Sequence, residues 1–262
     1  VPGVPHEMRT MMTGTILPDL KRRAGLDTVI KSRVLKTWGH SESRLSELLA
    51  DRITELDETG NPTLAFQASG IDGIKVRITA KARNAGEASK LTAEEETRLR
   101  GLLGRYIFGA DEQSMESVVL DLLRSRGMSL ALAEITSGGI ASARLSAIDP
   151  AGDIFYGSVI PTTGKIREAI LDLPAASIGT ADAAGRLAEA VRTAFGASVG
   201  LSTTGQHDLE SDTKHNAGLT YLGISLDGQV EVEQVRLPGD RERVRQYSVI
   251  SLLNALRLRL LA

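Results

Sequence analysis

No cysteine occurs in the 262 residues, which removes disulfides, thiolate nucleophiles and cysteine metal sites together. An excess of one charge is missing too. Basic residues number 31 and acidic residues 33, for a net charge of -2, so no global field steers the chain to nucleic acid or to an anionic membrane. The longest nearly apolar stretches, such as Val118–Leu123 and Met128–Ala133, fall far short of the ~20 residues that span a bilayer. No secretory segment opens the chain. No Walker-type loop is present, which leaves one common route to hydrolysis without support. These absences predict a cytoplasmic protein with no nucleic-acid partner and no membrane.

What is present is an ordinary globular balance, with 42% hydrophobic and 24% charged residues, enough for one large or two modest domains. The chain opens on Val1-Pro2-Gly3-Val4-Pro5, a turn-rich string that reads as the end of something longer. A helix with Met8, Met11, Met12, Ile16 and Leu20 at near-helical spacing follows, with a break expected at Pro18. From Asp27 the pattern changes. Strands are predicted over Thr28–Thr37, Thr63–Ala68, Ile74–Ala82 and Arg105–Phe108, with helices over Ser41–Leu56 and Ala85–Leu103. That is the β-α-β-β-α-β order of a small split sandwich. Gly70-Ile71-Asp72-Gly73 has the letters of a nucleic-acid clamp, but it joins two strands and carries an acid, so it reads as a hairpin turn.

The second half alternates. Helices are predicted over Ser114–Arg126, Ile140–Ile148, Lys165–Leu171, Asp182–Phe195 and Asp240–Leu261, and strands over Ser129–Glu134, Ile154–Ile160 and Ser198–Ser202. A hairpin over Gly218–Leu237 turns at Asp227-Gly228. The sum is an α/β layered domain.

The strongest local signal is the junction of strand, Thr136-Ser137-Gly138-Gly139 and helix. Glycines let backbone N–H groups converge, and a helix N-terminus favours an anion. A tight turn that needs glycine only for packing is the competing reading. Glu134, closing the strand, is either a functional carboxylate or a cap on nearby backbone. Pro161-Thr162-Thr163-Gly164 and Ser202-Thr203-Thr204-Gly205 also follow strands and suggest a pocket rim at strand ends. In Pro238-Gly239-Asp240-Arg241, Asp240 is placed as an N-cap and Arg241 projects from the first turn, a fork for phosphate or a solvated side chain. His207, Asp208 and His215 match no metal-ligand spacing, and a surface loop accounts for them.

Taken in order, these strings resemble the competence/damage-inducible protein A (CinA) family. Pro2-Gly3-Val4-Pro5-His6-Glu7-Met8 resembles the PGVPxEM string near the end of that family's N-terminal, molybdopterin-binding-like domain. Ser32-Arg33, Gly39 and Glu42-Ser43 resemble the opening of its small middle domain. Ala133-Glu134-Ile135-Thr136-Ser137-Gly138-Gly139 aligns with the AESCTGG signature of its C-terminal domain, and Pro238-Gly239-Asp240-Arg241 with its PGDR string. The resemblance implies a remnant of the N-terminal domain over residues 1–26, a small α+β middle domain over 27–111 and a layered α/β/α deamidase-like domain over 112–262. The bulk of the N-terminal domain, associated with pyrophosphate-bond hydrolysis of dinucleotides, is expected to be absent.

The C-terminal domain is implied to be a nicotinamide mononucleotide deamidase of pyridine-nucleotide salvage. In that family the AESCTGG serine attacks, a lysine in a YSNxxK loop takes the proton, and the PGDR arginine helps to hold phosphate or substrate. Here Ile135 stands at the serine position and Thr136 at the cysteine. Thr162-Thr163-Gly164-Lys165-Ile166-Arg167 replaces YSNxxK, so Arg167 stands at the lysine, and Thr204-Gly205-Gln206-His207-Asp208-Leu209 replaces TGIAGP. Isoleucine is no nucleophile and arginine stays protonated. Catalytic residues are therefore left unassigned. The expected ligand contacts are Glu134, Thr136, Ser137, Gly138, Gly139, Thr204, Gly205 and Arg241, with nicotinamide mononucleotide or a related nucleotide as ligand, no metal, no cofactor and a homodimeric assembly. Two rivals stand beside this degenerate, nucleotide-binding reading. One is an active amidohydrolase that uses Thr136 or Ser137 with Lys165, and the other is a structural or dimerisation module for the missing hydrolase domain.

Overall fold

Period and capping residues locate most elements of the fold, seen here in a computed structural model that describes residues 3–24, 28–172, 178–205 and 218–262. Helix α1 (Pro5–Met11) does not break ahead of Pro18 as the sequence suggests. It runs through a π-helical segment, Met12–Ile16, into α2 (Leu17–Ala24), with the Leu17 N–H donating to the Met12 carbonyl. Proline brings no N–H, and a local change to wider i→i+5 bonding is one way a helix passes such a residue.

Strand β1 (Val29–Thr37) leads into α3 (Glu42–Leu48) and α4 (Ala50–Thr59), followed by β2 (Thr63–Ala68), β3 (Ile74–Ala82), α5 (Ala85–Leu103) and β4 (Ile107–Ala110). The single helix expected over Ser41–Leu56 is two helices, because Leu49 leaves helical geometry at φ -107 and ψ 7. Asn84 caps α5 by accepting the Glu87 N–H at 2.9 Å. The four strands form one sheet in the order β2-β3-β1-β4. Gly70–Asp72 is a single 3-10 turn between β2 and β3.

The chain divides into two compact units. One comprises Val1–Val34, Ser43–Phe66 and Val76–Gly104, and the other Leu35–Glu42, Gln67–Lys75 and Arg105–Ala262. In the first, Leu45, Leu49, Ile78, Ala88 and Leu99 are fully buried. Its ion pairs are partly buried too. Arg52 reaches Glu95, which is 2% exposed, and Arg33 donates to Glu96 at 2.6 Å while Arg100 donates to the same carboxylate at 2.7 Å. Burial pushes the Glu96 carboxyl up, but the two guanidiniums outweigh it and hold it below the usual carboxylate range. A carboxylate depressed in the folded state contributes stability above its unfolded value of ~4.3 and loses it as pH falls through the folded value. On acidification from neutral to about pH 3, the parent is expected to lose more stability than Glu96→Gln. Equal acid sensitivity in urea titrations would show that this network carries none of the dependence.

The second unit continues with α6 (Met115–Ser125), β5 (Leu130–Glu134), α7 (Ile140–Ser146), β6 (Phe155–Val159), α8 (Gly164–Leu171), α9 (Ala181–Phe195), β7 (Val199–Gly205), β8 (Leu219–Leu226), β9 (Gln229–Arg236) and α10 (Arg241–Leu261). Its sheet order is β6-β5-β7-β8-β9, with β5 parallel to β6 and β7, and with β7, β8 and β9 antiparallel in turn. Ser114 and Ser117 close a reciprocal capping box on α6. Asp227 (φ 52) and Gly228 (φ 74) supply the two positive angles of the β8–β9 turn, as a two-residue hairpin requires. Leu130 and Leu132 pack with residues of α6, α7 and α10, whereas Ala131 and Ala133 pack with Leu187 and Val191 of α9. Helices thus cover both faces, and the unit is a three-layer α/β/α structure. A parallel centre buried on both sides explains why all five residues of β5 are buried.

Candidate functional site

The strand period that separates leucines from alanines in β5 also separates the next two side chains. Glu134 turns to the α7 side and Ile135 to the α9 side, where Ile135 packs against the cluster of Ala131, Ala133, Leu187 and Val191. Beyond them the chain turns sharply, with Gly138 at φ 57 and Gly139 at φ 94. Any other residue there would be strained, and a Cβ would also collide, standing 2.5 Å from a terminal nitrogen of Arg245 at Gly138 and 2.8 Å from Ile160 Cδ1 at Gly139.

Glu134 is 1% exposed. Its Oε2 accepts from the Ser137 hydroxyl at 2.7 Å, the Gly139 N–H at 3.1 Å and the Ala141 N–H at 3.0 Å. Its Oε1 accepts from the Ser142 N–H at 3.0 Å and also from the Ser142 hydroxyl. Of the two roles open to Glu134, the geometry is that of a cap. A carboxylate from the strand occupies the N-terminus of α7, where charge and dipole suit it.

That arrangement takes up backbone donors that the expected ligand set assigned to an anion. Gly139 cannot offer its N–H to an external anion at the α7 terminus, because Glu134 already takes it along with those of Ala141 and Ser142. Ser137 is fully buried, and its hydroxyl lies between Glu134 and Thr203 Oγ1, 2.9 Å from the latter. Ser202-Thr203-Thr204-Gly205 is the buried end of the central strand β7 rather than a rim loop. Ser202 donates to the Ala184 carbonyl at 2.6 Å and Thr204 Oγ1 accepts the Gly179 N–H at 2.9 Å. Neighbouring strands on both edges and helices on both faces account for the burial of these side chains.

Four of the expected contacts do converge. Glu134, Thr136, Gly138 and Arg241 line a cleft of about 290 Å³ together with Ile135, Thr162, Arg167 and three residues that sequence reasoning did not single out, Ile160, Ile178 and Arg245. Arg167 lies on α8, 6% exposed, and donates to the Pro161 carbonyl at 3.1 Å. Thr163 caps that helix through the Ile166 N–H at 3.3 Å. Asp240 caps α10 through the Arg243 N–H at 2.9 Å, which sets Arg241 and Arg245 one turn apart on one helix face. The spacing of Arg245, four residues after Arg241, was the available signal for it. Lys165 is exposed and does not line the cleft. Gln206–Leu209 and His215 lie outside the described residues. Among the described residues there is no group of three or more His, Asp or Glu side chains suited to a metal ion, and no helix is long and apolar enough to cross a membrane.

The second unit is thus a three-layer α/β/α protein with a mixed five-stranded sheet, carrying a strand–Gly-Gly–helix junction beside an arginine-bearing helix. The chain belongs to the CinA family: residues 112–260 match the CinA C-terminal domain, and residues 32–109 match the damage-inducible protein CinA KH domain. A CinA-like protein of Frankia casuarinae is 39% identical over 98% of this chain and 60% of its own length. One from Dictyoglomus thermophilum is 34% identical over 100% of this chain and 64% of its own length. The chain thus spans a little under two thirds of these relatives. Among solved structures, a CinA superfamily protein from Klebsiella pneumoniae superposes with a TM-score of 0.51 at 21% identity, covering 57% of this chain and 99% of its own. One from Escherichia coli gives a TM-score of 0.50 at 22% identity, over 60% of this chain and 98% of its own. These likenesses show the fold.

Proposed function

We propose that the CinA C-terminal domain of this chain has kept a ligand cleft and lost amide hydrolysis, so that it holds nicotinamide mononucleotide or a related nucleotide without turning it over. The observation that carries this reading is Ile135, at the family's nucleophile position, lining the cleft with an alkyl side chain packed onto the α9 core. It has no lone pair with which to attack an amide carbon. Arg167, at the base position, is a guanidinium that does not give up its proton at any physiological pH. The substitute route through Ser137 or Thr136 with Lys165 lacks support. Ser137 is buried and hydrogen-bonded to Glu134, while Lys165 points to solvent outside the cleft.

The test is one titration with two readouts. Nicotinamide mononucleotide added to the purified chain is expected to give calorimetric heat of binding and no ammonia above the buffer blank. Ammonia at a rate ordinary for enzymes, ~1–1000 per second, would sink the proposal and revive the substitute-residue enzyme. Absence of both binding and turnover at millimolar ligand would leave the structural-module reading instead.

A further inference from the structure

We propose that a second, larger pocket beside the start of α10 is a separate ligand site, which takes an uncharged planar heteroaromatic ring against Trp38 and Tyr247. The proposal goes beyond the nucleotide reading of the smaller cleft and does not depend on it.

The pocket has a volume of about 590 Å³. Its lining comes from three separate stretches of chain, all of them in the second unit: the end of β1 and the residues just after it, the turn between Ala68 and Ile74, and the stretch from Leu237 to Tyr247. It shares no lining residue with the arginine cleft. Two residues apart on a helix are nearly opposite in direction, so α10 presents Arg245 to one cavity and Tyr247 to the other. Trp38 and Tyr247 make an aromatic wall, with ring centroids 5.9 Å apart and planes inclined by 44°. His40 adds a third ring, itself set against Tyr106 with centroids 3.9 Å apart. Glycine keeps the opposite side low. A Cβ at Gly73 would stand 2.0 Å from the Thr37 carbonyl oxygen and 3.3 Å from indole Cε3 of Trp38, so the absence of a side chain is what lets the Gly70–Gly73 turn lie against the ring.

Charge, shape and unused polar groups select the ligand. Among the described residues no Asp, Glu, Lys or Arg lines this pocket, whereas Arg167, Arg241 and Arg245 line the smaller cleft. An ion entering here would give up hydration with no opposite charge to replace it. Trp38, His40 and Tyr247 are half-buried, and among the described residues their side chains meet other rings but no hydrogen-bond partner. Covered indole N–H and phenol groups ordinarily find one. The indole donates, the phenol donates or accepts, and a neutral imidazole does one at each nitrogen, which matches the ring nitrogens, amino groups and carbonyls of a heteroaromatic. Its flat face gains further from contact with the aromatic wall. The volume falls in the range of pockets that hold one small molecule and leaves room for an uncharged substituent on the ring, as in a nucleoside.

Trp38 is the only tryptophan in the sequence, so tryptophan emission from the whole chain reports on this pocket. Adenosine is the probe, with ribose, which lacks the ring, and adenosine 5′-monophosphate, which adds charge, as comparisons. Adenosine is expected to change the emission along a saturable curve, ribose to leave it unchanged, and the monophosphate to bind no more tightly than adenosine. Tyr247→Ala is expected to weaken adenosine by about five-fold, the scale of one aromatic contact. Ala68→Phe fills the pocket from an exposed position; it is expected to weaken adenosine as well, and it carries the test if Tyr247→Ala fails to fold. Emission indifferent to millimolar adenosine, or equally responsive to ribose, would overturn the site. A monophosphate that binds about ten-fold more tightly than adenosine, a gain of ~1.4 kcal/mol, would overturn the uncharged ligand. Adenosine binding untouched by both variants would overturn the assignment to Trp38 and Tyr247. The nucleotide reading of the smaller cleft is judged by heat and ammonia with nicotinamide mononucleotide, so either proposal can fail without the other.

Discussion

Glu134→Ala is expected to destabilise the second unit by about 3–5 kcal/mol, the scale at which a buried charge network breaks when one member is removed. The carboxylate takes three backbone N–H groups, those of Gly139, Ala141 and Ser142. A methyl group satisfies none of them, and each buried donor left without an acceptor costs about 1–3 kcal/mol. The two hydroxyls have alternatives, since Ser137 already lies 2.9 Å from Thr203 Oγ1 and Ser142 contacts the Ser158 hydroxyl. The loss therefore comes chiefly from the backbone of the first turn of α7. Glu134→Gln keeps one acceptor oxygen but turns an NH₂ toward donors, and it is expected to fall between parent and alanine. Urea denaturation measures the difference, and amide hydrogen exchange at Gly139, Ala141 and Ser142 should accelerate first. A loss under about 1 kcal/mol would mean that water takes over the cap and that Glu134 is not what fixes the turn.

Gly223→Ala should cost about 2–3 kcal/mol although it adds a single methyl group. A Cβ at 223 would stand 2.3 Å from the Ala184 carbonyl oxygen and 2.4 Å from Ser202 Oγ. The obstacle is helix backbone, which a rotamer change does not move. A Cβ at Gly200 meets the same helix, 2.0 Å from the Ala188 carbonyl oxygen. Helix α9 thus lies directly on β7 and β8, with Ala183, Ala184, Gly185 and Ala188 as its small buried face. Gly101→Ala is the control. That glycine sits inside α5 with nothing within 4 Å of a Cβ, so alanine there is expected to stabilise by about 0.5–1 kcal/mol. If both alanines shift the urea midpoint equally, the close approach of α9 to the sheet is not limiting.

Pattern and composition reached far into this fold. β2, β3 and α5 were predicted to their end residues, because alternation between turn signals and a capped 3.6 period leave little choice of register. The split of the first long helix at Leu49 was not legible. Ser41–Leu56 keeps its helical period across the break, and Leu49 is fully buried, so what bends the chain there is packing and not local preference. The site divides along the same line. Chain order of motifs pointed to the family, and the resemblance set Ile135 and Arg167 at its nucleophile and base positions, roles that the chemistry of neither side chain fits.

Which groups meet was decided only by the tertiary structure. The helix N-terminus beside Gly138 and Gly139 looked open to an anion because a one-dimensional reading shows its donors and not their acceptors. Glu134, five residues before Gly139, closes it through a turn whose direction the sequence does not state. Arg245 entered the cleft for a similar reason: the capping of α10 by Asp240 fixes the phase of that helix, and phase determines which of its arginines face the junction. Ser202, Thr203 and Thr204 read as a polar rim, yet they are 0% exposed, because their hydroxyls find partners on neighbouring elements brought close only by folding. Side-chain chemistry and period are local properties and can be read from the chain, whereas the pairing of one buried donor with one acceptor depends on long-range proximity, which folding alone supplies.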